Sequence, residues 1–236
     1  MTSGIWVLCM TAASIGVVHT LLGPDHYLPF LALSKARGWS TRRTVIITML
    51  CGLGHVIGSI VLGLIGVAAG VALSRLEYFE ALRGSLAAWL LIGIGFAYFV
   101  WGVHRAIRNR PHQHEHVHVE GTAHDHTHVH RSSHTHIHTQ KNGDLTAWAL
   151  FLFFILGPCE PLIPILMFPA ARSSTMGMLL VAGVFAVATI TTMVGAVLLA
   201  NWGASFVKIG RAERYAHAVA GAVICCSGLT IQFLGL

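Results

Sequence analysis

The chain has 236 residues, 55% of them apolar and only 10% charged, with a mean hydropathy of +0.69. Soluble domains carry roughly a quarter charged residues, so this composition excludes ordinary folding in water and predicts an integral membrane protein. The formal charge of +6 does not imply a nucleic-acid partner, because the positive residues sit in short joints between apolar blocks, where they set topology instead.

Six apolar blocks follow one another, at about 8–34, 44–73, 84–103, 145–171, 176–200 and 215–235, and each predicts a membrane-spanning helix. Met1–Ile5 has no positive charge, so the first block reads as a retained span and not as a cleaved signal. The first, third and fifth joints hold twelve Lys and Arg residues, whereas the termini and the other joints hold only Arg75, Arg83 and Arg172. The positive-inside rule then places the rich joints in the cytoplasm and both termini outside, with the inner (plasma) membrane as the location. The expected architecture is all-α, with six spans as two inverted three-helix repeats, 1–103 and 145–236, on either side of a cytoplasmic joint at 104–144. A glycine–proline break interrupts the first helix of each repeat.

Those breaks carry the repeat. Gly23-Pro24-Asp25-His26-Tyr27-Leu28-Pro29 aligns with Gly157-Pro158-Cys159-Glu160-Pro161-Leu162-Ile163-Pro164, apart from one inserted residue. Three spans per half is an odd number, so the halves oppose each other in the membrane, as in many secondary transporters with a site near the midplane. Twelve residues, Leu145 to Leu156, precede the second break. They reach about 18 Å into a hydrocarbon core about 30 Å thick, and the repeat predicts a similar depth for the first break.

Of nine acidic residues, seven lie in joints or at span edges, Glu77 and Glu80 among them; Asp25 and Glu160 occupy the two breaks. An acid at the centre of a span costs about 2.5–3.5 kcal/mol, so its presence there points to an ion path, the plain alternative being a buried hydrogen bond to a freed amide. His19 and His26 would stand about 10.5 Å apart on an unbroken helix, too far for one metal ion. A break at Gly23-Pro24 brings His19, Asp25 and His26 toward one point. His55 lies in the second span among small neighbours, Gly52-Leu-Gly-His-Val-Ile-Gly-Ser. Imidazole with carboxylate suits a borderline divalent metal such as Ni, Co or Zn; Cys159 as a thiolate would shift the preference toward Cu(I) or Zn, and as a thiol is a small apolar residue. Glu160 is the stronger candidate for ligand or proton carrier.

Gly54, Gly58, Gly66 and Gly70 recur at multiples of four and predict a small-residue packing face. Cys9, Cys225 and Cys226 read as packing, and His217 as a headgroup residue. The third joint carries eleven of the sixteen histidines: His112, His114, His116, His118, His124, His126, His128, His130, His134, His136 and His138. Its composition predicts disorder without a ligand, and its H-x-H alternation predicts metal capture that weakens as acid protonates the rings. Phosphate-binding loops, dinucleotide fingerprints and nucleophile elbows are absent, so no enzyme chemistry and no resident cofactor are expected.

The chain resembles the nickel/cobalt permease superfamily, that is, the NicO/RcnA-type efflux transporters and relatives described as urease accessory transporters. The resemblance rests on His19-x5-Asp25-His26, on His55 and on the His-rich joint, and spans the six-helix layout. It implies secondary transport of Ni²⁺ or Co²⁺, with His19, Asp25 and His26 in metal recognition and His55 as their partner. Efflux is the favoured direction, and an importer that buffers metal in the joint is an alternative. The stretch around Cys159 is also similar to the Pro-Cys motif of membrane thiol–disulfide carriers, which use one cysteine per half; here Asp25 stands at the matching position, and Cys51 lies in another span.

Overall fold

The computed structural model describes residues 2–70, 72–108, 112–117, 123–128, 143–157, 159, 161–165, 175–206 and 214–234. In chain order these form α1 (Thr2–Leu22), a single 3-10 turn (Pro24–His26), α2 (Leu28–Arg37), α3 (Thr41–Ala68), α4 (Leu73–Arg108), β1 (His112–Val117), β2 (Ala123–His128), α5 (Gly143–Leu156), α6 (Thr175–Ser205) and α7 (Ala216–Leu234). Five helices among the described residues are long and apolar enough to cross a membrane: α1, α3, α4, α6 and α7. A further apolar stretch in α5, Ala147–Leu156, is shorter. The protein is therefore a multi-pass membrane protein whose spanning part is all-α.

The outward faces of these helices are apolar. Met10, Leu50, Leu86, Leu180 and Leu199 are exposed, an arrangement that a bilayer stabilises and water would not. Inside, one buried cluster includes Phe30, Leu91, Phe154, Met193 and Ile224, and a second includes Ala12, Val56, Cys159, Leu162 and Phe185. Helix α4 packs along α7, α1 along α6, and α3 against both α5 and α6, while α2 lies on α7.

The tightest seam joins α4 and α7. A Cβ added at Gly95 would meet the backbone of Cys225, one at Gly102 that of Ala218, and one at Gly221 that of Phe99. Small residues let the two backbones approach where lipid provides no hydrophobic drive for association. The expected small-residue face of α3 is divided differently. Gly54 and Gly58 face α5 and Arg83, and Gly66 faces Leu76 on α4. Gly70 lies past the helix end, in the left-handed region at φ 64°.

Several boundaries depart from the apolar blocks. Helix α4 begins eleven residues before the block edge at 84 and runs past His104 to Arg108. Glu80 and Arg83, assigned by composition to a span edge and a joint, thus lie inside a continuous helix, with Glu80 fully buried. In the His-rich joint, expected to lack regular structure, two short strands pair antiparallel: His112 stands opposite His128, His114 opposite His126 and His116 opposite His124. The candidate ligands His118, His130, His134, His136 and His138 lie outside the described residues, as does Glu160.

A buried histidine cluster at the helix break

The site is built by the way α1 ends. Pro24 has no N–H to continue the helix and forces the preceding residue toward extended geometry; Gly23 adopts φ −87°, ψ 94°. The Gly23 amide still donates to the His19 carbonyl at 3.0 Å, closing the last turn of α1. The chain then makes one 3-10 turn and restarts as α2, whose first turn contains Pro29, a position that has no need of an amide hydrogen. The turn folds His26 back under His19. Their ring centroids are 4.9 Å apart, less than half the separation on an unbroken helix.

His55 enters from the middle of α3. Its ring lies 5.2 Å from that of His26 and 6.4 Å from that of His19. Each of the three imidazoles offers a nitrogen, and these atoms all lie within 4.8 Å of one another. In a tetrahedral site with metal–nitrogen bonds of about 2.0–2.1 Å the nitrogens stand about 3.3 Å apart, so a rotamer-scale contraction closes the set around an ion. The fit is reinforced by what the rings lack. His19 Nε2 and His26 Nε2 are buried with no hydrogen-bond partner among the described residues, and the buried His55 ring has the Phe154 backbone beside one nitrogen, which leaves the other open. Orphaned polar atoms in an apolar interior are costly and mark a place where a ligand completes the bonding.

Asp25 lines the same cavity as these rings and stands beside the three clustered nitrogens. It is not among the clustered ligand atoms; its Oδ1 lies 3.2 Å from His26 Nδ1, which also stands 3.1 Å from the Gly23 carbonyl. Two acceptors at Nδ1 place the hydrogen of the neutral ring there, so Nε2 presents its lone pair to the other histidines. This contact holds the His26 ring in place against Asp25. Gly23 has no room for anything larger, since a Cβ there would lie 2.5 Å from His26 Nδ1 and 2.9 Å from Asp25 Oδ1.

The cluster opens into a cavity of about 500 Å³, also lined by Phe153, Phe154, Gly157, Ser85 and Gln232. The Phe154 ring stands 6.2 Å from His26 and 6.0 Å from His55, forming an apolar wall. Cys159 is not part of this cavity. It is buried with Ala12, Val56 and Phe185 in the second apolar cluster. Cys51 belongs to the first, so the two cysteines do not share a pocket.

Composition did not single out Arg83 as part of the site. Its Nε donates to the Leu156 carbonyl at 3.2 Å, and Nη2 donates to the Gly157 carbonyl at 2.9 Å and to Ser59 Oγ at 2.8 Å. Nη2 is also 3.3 Å from Glu80 Oε2. The break after Leu156 frees carbonyls that lipid cannot satisfy, and a guanidinium fork supplies the donors. The signal in the sequence was the i, i+3 pair Glu80–Arg83 next to an apolar run.

No family model, curated protein or solved structure matches this chain. The fold and the cluster together define a multi-pass α-helical membrane protein with a three-histidine pocket at a broken helix.

Proposed function

We propose that this protein is a secondary transporter of a divalent transition-metal cation, Ni²⁺ or Co²⁺ first, with efflux as the favoured direction. One observation carries the reading: three imidazoles from α1, the 3-10 turn and α3 converge with unpaired nitrogens in a cavity inside the membrane-spanning part. Imidazole sets suit Ni, Co and Zn, and ionisable groups within membrane spans mark ion paths.

Helix packing supports an inverted repeat, in which α1, α3 and α4 correspond to α5, α6 and α7. A two-fold operation exchanging the halves turns the α1–α6 contact into α5–α3 and carries α3–α6 and α4–α7 onto themselves. All four packings are present. In this reading α5 and the helical turn at 162–165 form the sixth span across the second break, and both termini face outward. The paired strands of the joint, with six histidines in cross-strand register, collect the ion on the cytoplasmic side. Proton exchange at Asp25 or Glu160 couples transport, because metal binding displaces protons from its ligands.

Thiol–disulfide exchange is the second reading, and one observation favours it: Cys9 packs against the buried cluster that holds Cys159. Serine at either position then abolishes activity, whereas metal transport tolerates both changes.

The direct test is Co²⁺ titration of purified protein lacking 112–138, so that only the membrane cluster is read. Expected is one ion per chain with the visible absorption of a histidine-bound cobalt, lost in His26→Ala and in His55→Ala. A parent that binds no cobalt, or variants that bind it as tightly, would sink the reading.

A further inference from the structure

A second cavity, of about 470 Å³, lies against the first. It is lined by Glu77, Glu80, Ala81, Pro161, Ile163 and Pro164, and Ala81 and Pro161 also line the histidine cavity. On α4 the shared wall follows helical spacing: Glu77, Glu80 and Ala81 face the second cavity, and Ala81, Gly84 and Ser85 the first. Positions three and four apart share a helix face, so these residues form one continuous strip, about 12 Å long from Glu77 to Ser85. The opposite wall is supplied by Gly157 and Pro161 and, from the helical turn at 162–165, by Ile163 and Pro164.

We propose that this strip is the cation's route between the histidine cluster and the end of α4 that carries Glu77, with Ala81 opposite Pro161 at the junction. The inference deepens the transport reading and rests on it. At one end of the strip are the unpaired, buried nitrogens of His26 and His55. At the other, the exposed Glu77 offers its carboxylate, while that of Glu80 is fully buried with Arg83 3.3 Å away to balance its charge. Between them the side chains that α4 contributes to the cavity wall, Ala81, Gly84 and Ser85, are small. The order acid, small residue, imidazole gives a cation successive oxygen and nitrogen partners instead of bare hydrocarbon. In the proposed topology the Glu77 end faces outward, so an exported ion leaves by it.

The test uses Ala81→Cys in the full chain, with transport of Co²⁺ measured before and after a cationic methanethiosulfonate reagent. Labelling is expected to cut transport about tenfold relative to the unlabelled variant, to be slowed by added Co²⁺, and to leave the identically treated wild type unaffected. Ala81→Leu is expected to lose transport by a similar factor yet still bind Co²⁺ at the histidine cluster. If labelled Ala81→Cys or Ala81→Leu transports as fast as its control while cobalt still binds, the route is overturned and the histidine site stands. If the protein lacking 112–138 binds no cobalt, the site and the route fall together.

Discussion

At the residue scale the site depends on Gly23 as much as on any ligand. The residue is buried and extended, and a methyl group there would intrude on both His26 and Asp25. Gly23→Ala is expected to weaken Co²⁺ binding by an order of magnitude or more while leaving far-UV helicity unchanged, since the obstruction is local. Asp25→Asn keeps an oxygen near His26 Nδ1 and removes the charge. Loss of such an outer partner costs about 10–100-fold in metal affinity, and cobalt titration of D25N should read within that range. Arg83→Leu would strip the donors from the Leu156 and Gly157 carbonyls and leave Glu80 without its arginine. Breaking a buried pair costs about 3–5 kcal/mol, so this variant is expected to unfold at lower temperature, and Arg83→Lys to restore only part of the loss.

His19, Asp25, His26 and His55 were legible in the sequence because ionisable side chains are rare in apolar blocks, and the proline at 24 announced the break. The contact of Asp25 with the His26 ring was not legible, because whether a carboxylate faces an ion or a neighbouring ring is decided by one turn of backbone. Arg83 was hidden by averaging: Glu77, Glu80 and Arg83 lower the local hydropathy and make a helix interior resemble a joint, although Glu80 and Arg83 balance each other's charge in the fold.

At the scale of elements, the α4–α7 seam sets how closely the two helices lie. Gly95 and Gly102 on α4, like Gly221 and Gly228 on α7, are seven residues apart, close to two helical turns. Gly221→Leu would force the seam apart at the Phe99 backbone. Overpacking costs about 1–3 kcal/mol where neighbours yield, and backbone yields less than side chains. Thermal unfolding in detergent should therefore shift downward for Gly221→Leu and far less for Gly183→Leu, where a Cβ meets nothing within 4 Å. The periodic glycines of α3 stand out in the sequence because their spacing is regular. The tighter seam was missed because its partner lies more than a hundred residues away, and pairing between distant helices leaves little trace in one chain.

At the scale of the whole molecule, the proposed transport reading gives the polar joint and the membrane cluster separate tasks. On that reading, removing 112–138 is expected to raise the metal concentration needed for half-maximal transport without lowering the maximal rate. Complete loss of transport would place the joint in the pathway itself. The end of α1 at Gly23-Pro24 was readable from the motif, and α5 ends at Leu156 beside Gly157, but the two helices differ in length. Helix α1 has 21 residues before its break and α5 has 14, so a shared depth does not follow from counting alone. Lateral packing, which brings His55 of α3 to the first break and both α3 and α4 to α5, decides where the histidines meet.

The most direct measurement is total cellular Ni, Co, Zn and Cu by elemental mass spectrometry in cells expressing wild type or His26→Ala. A selective fall in Ni or Co with wild type, absent in the variant, is the predicted result. Equal metal content in both, for every element, would contradict a histidine-cluster transporter and turn attention to the thiol of Cys159.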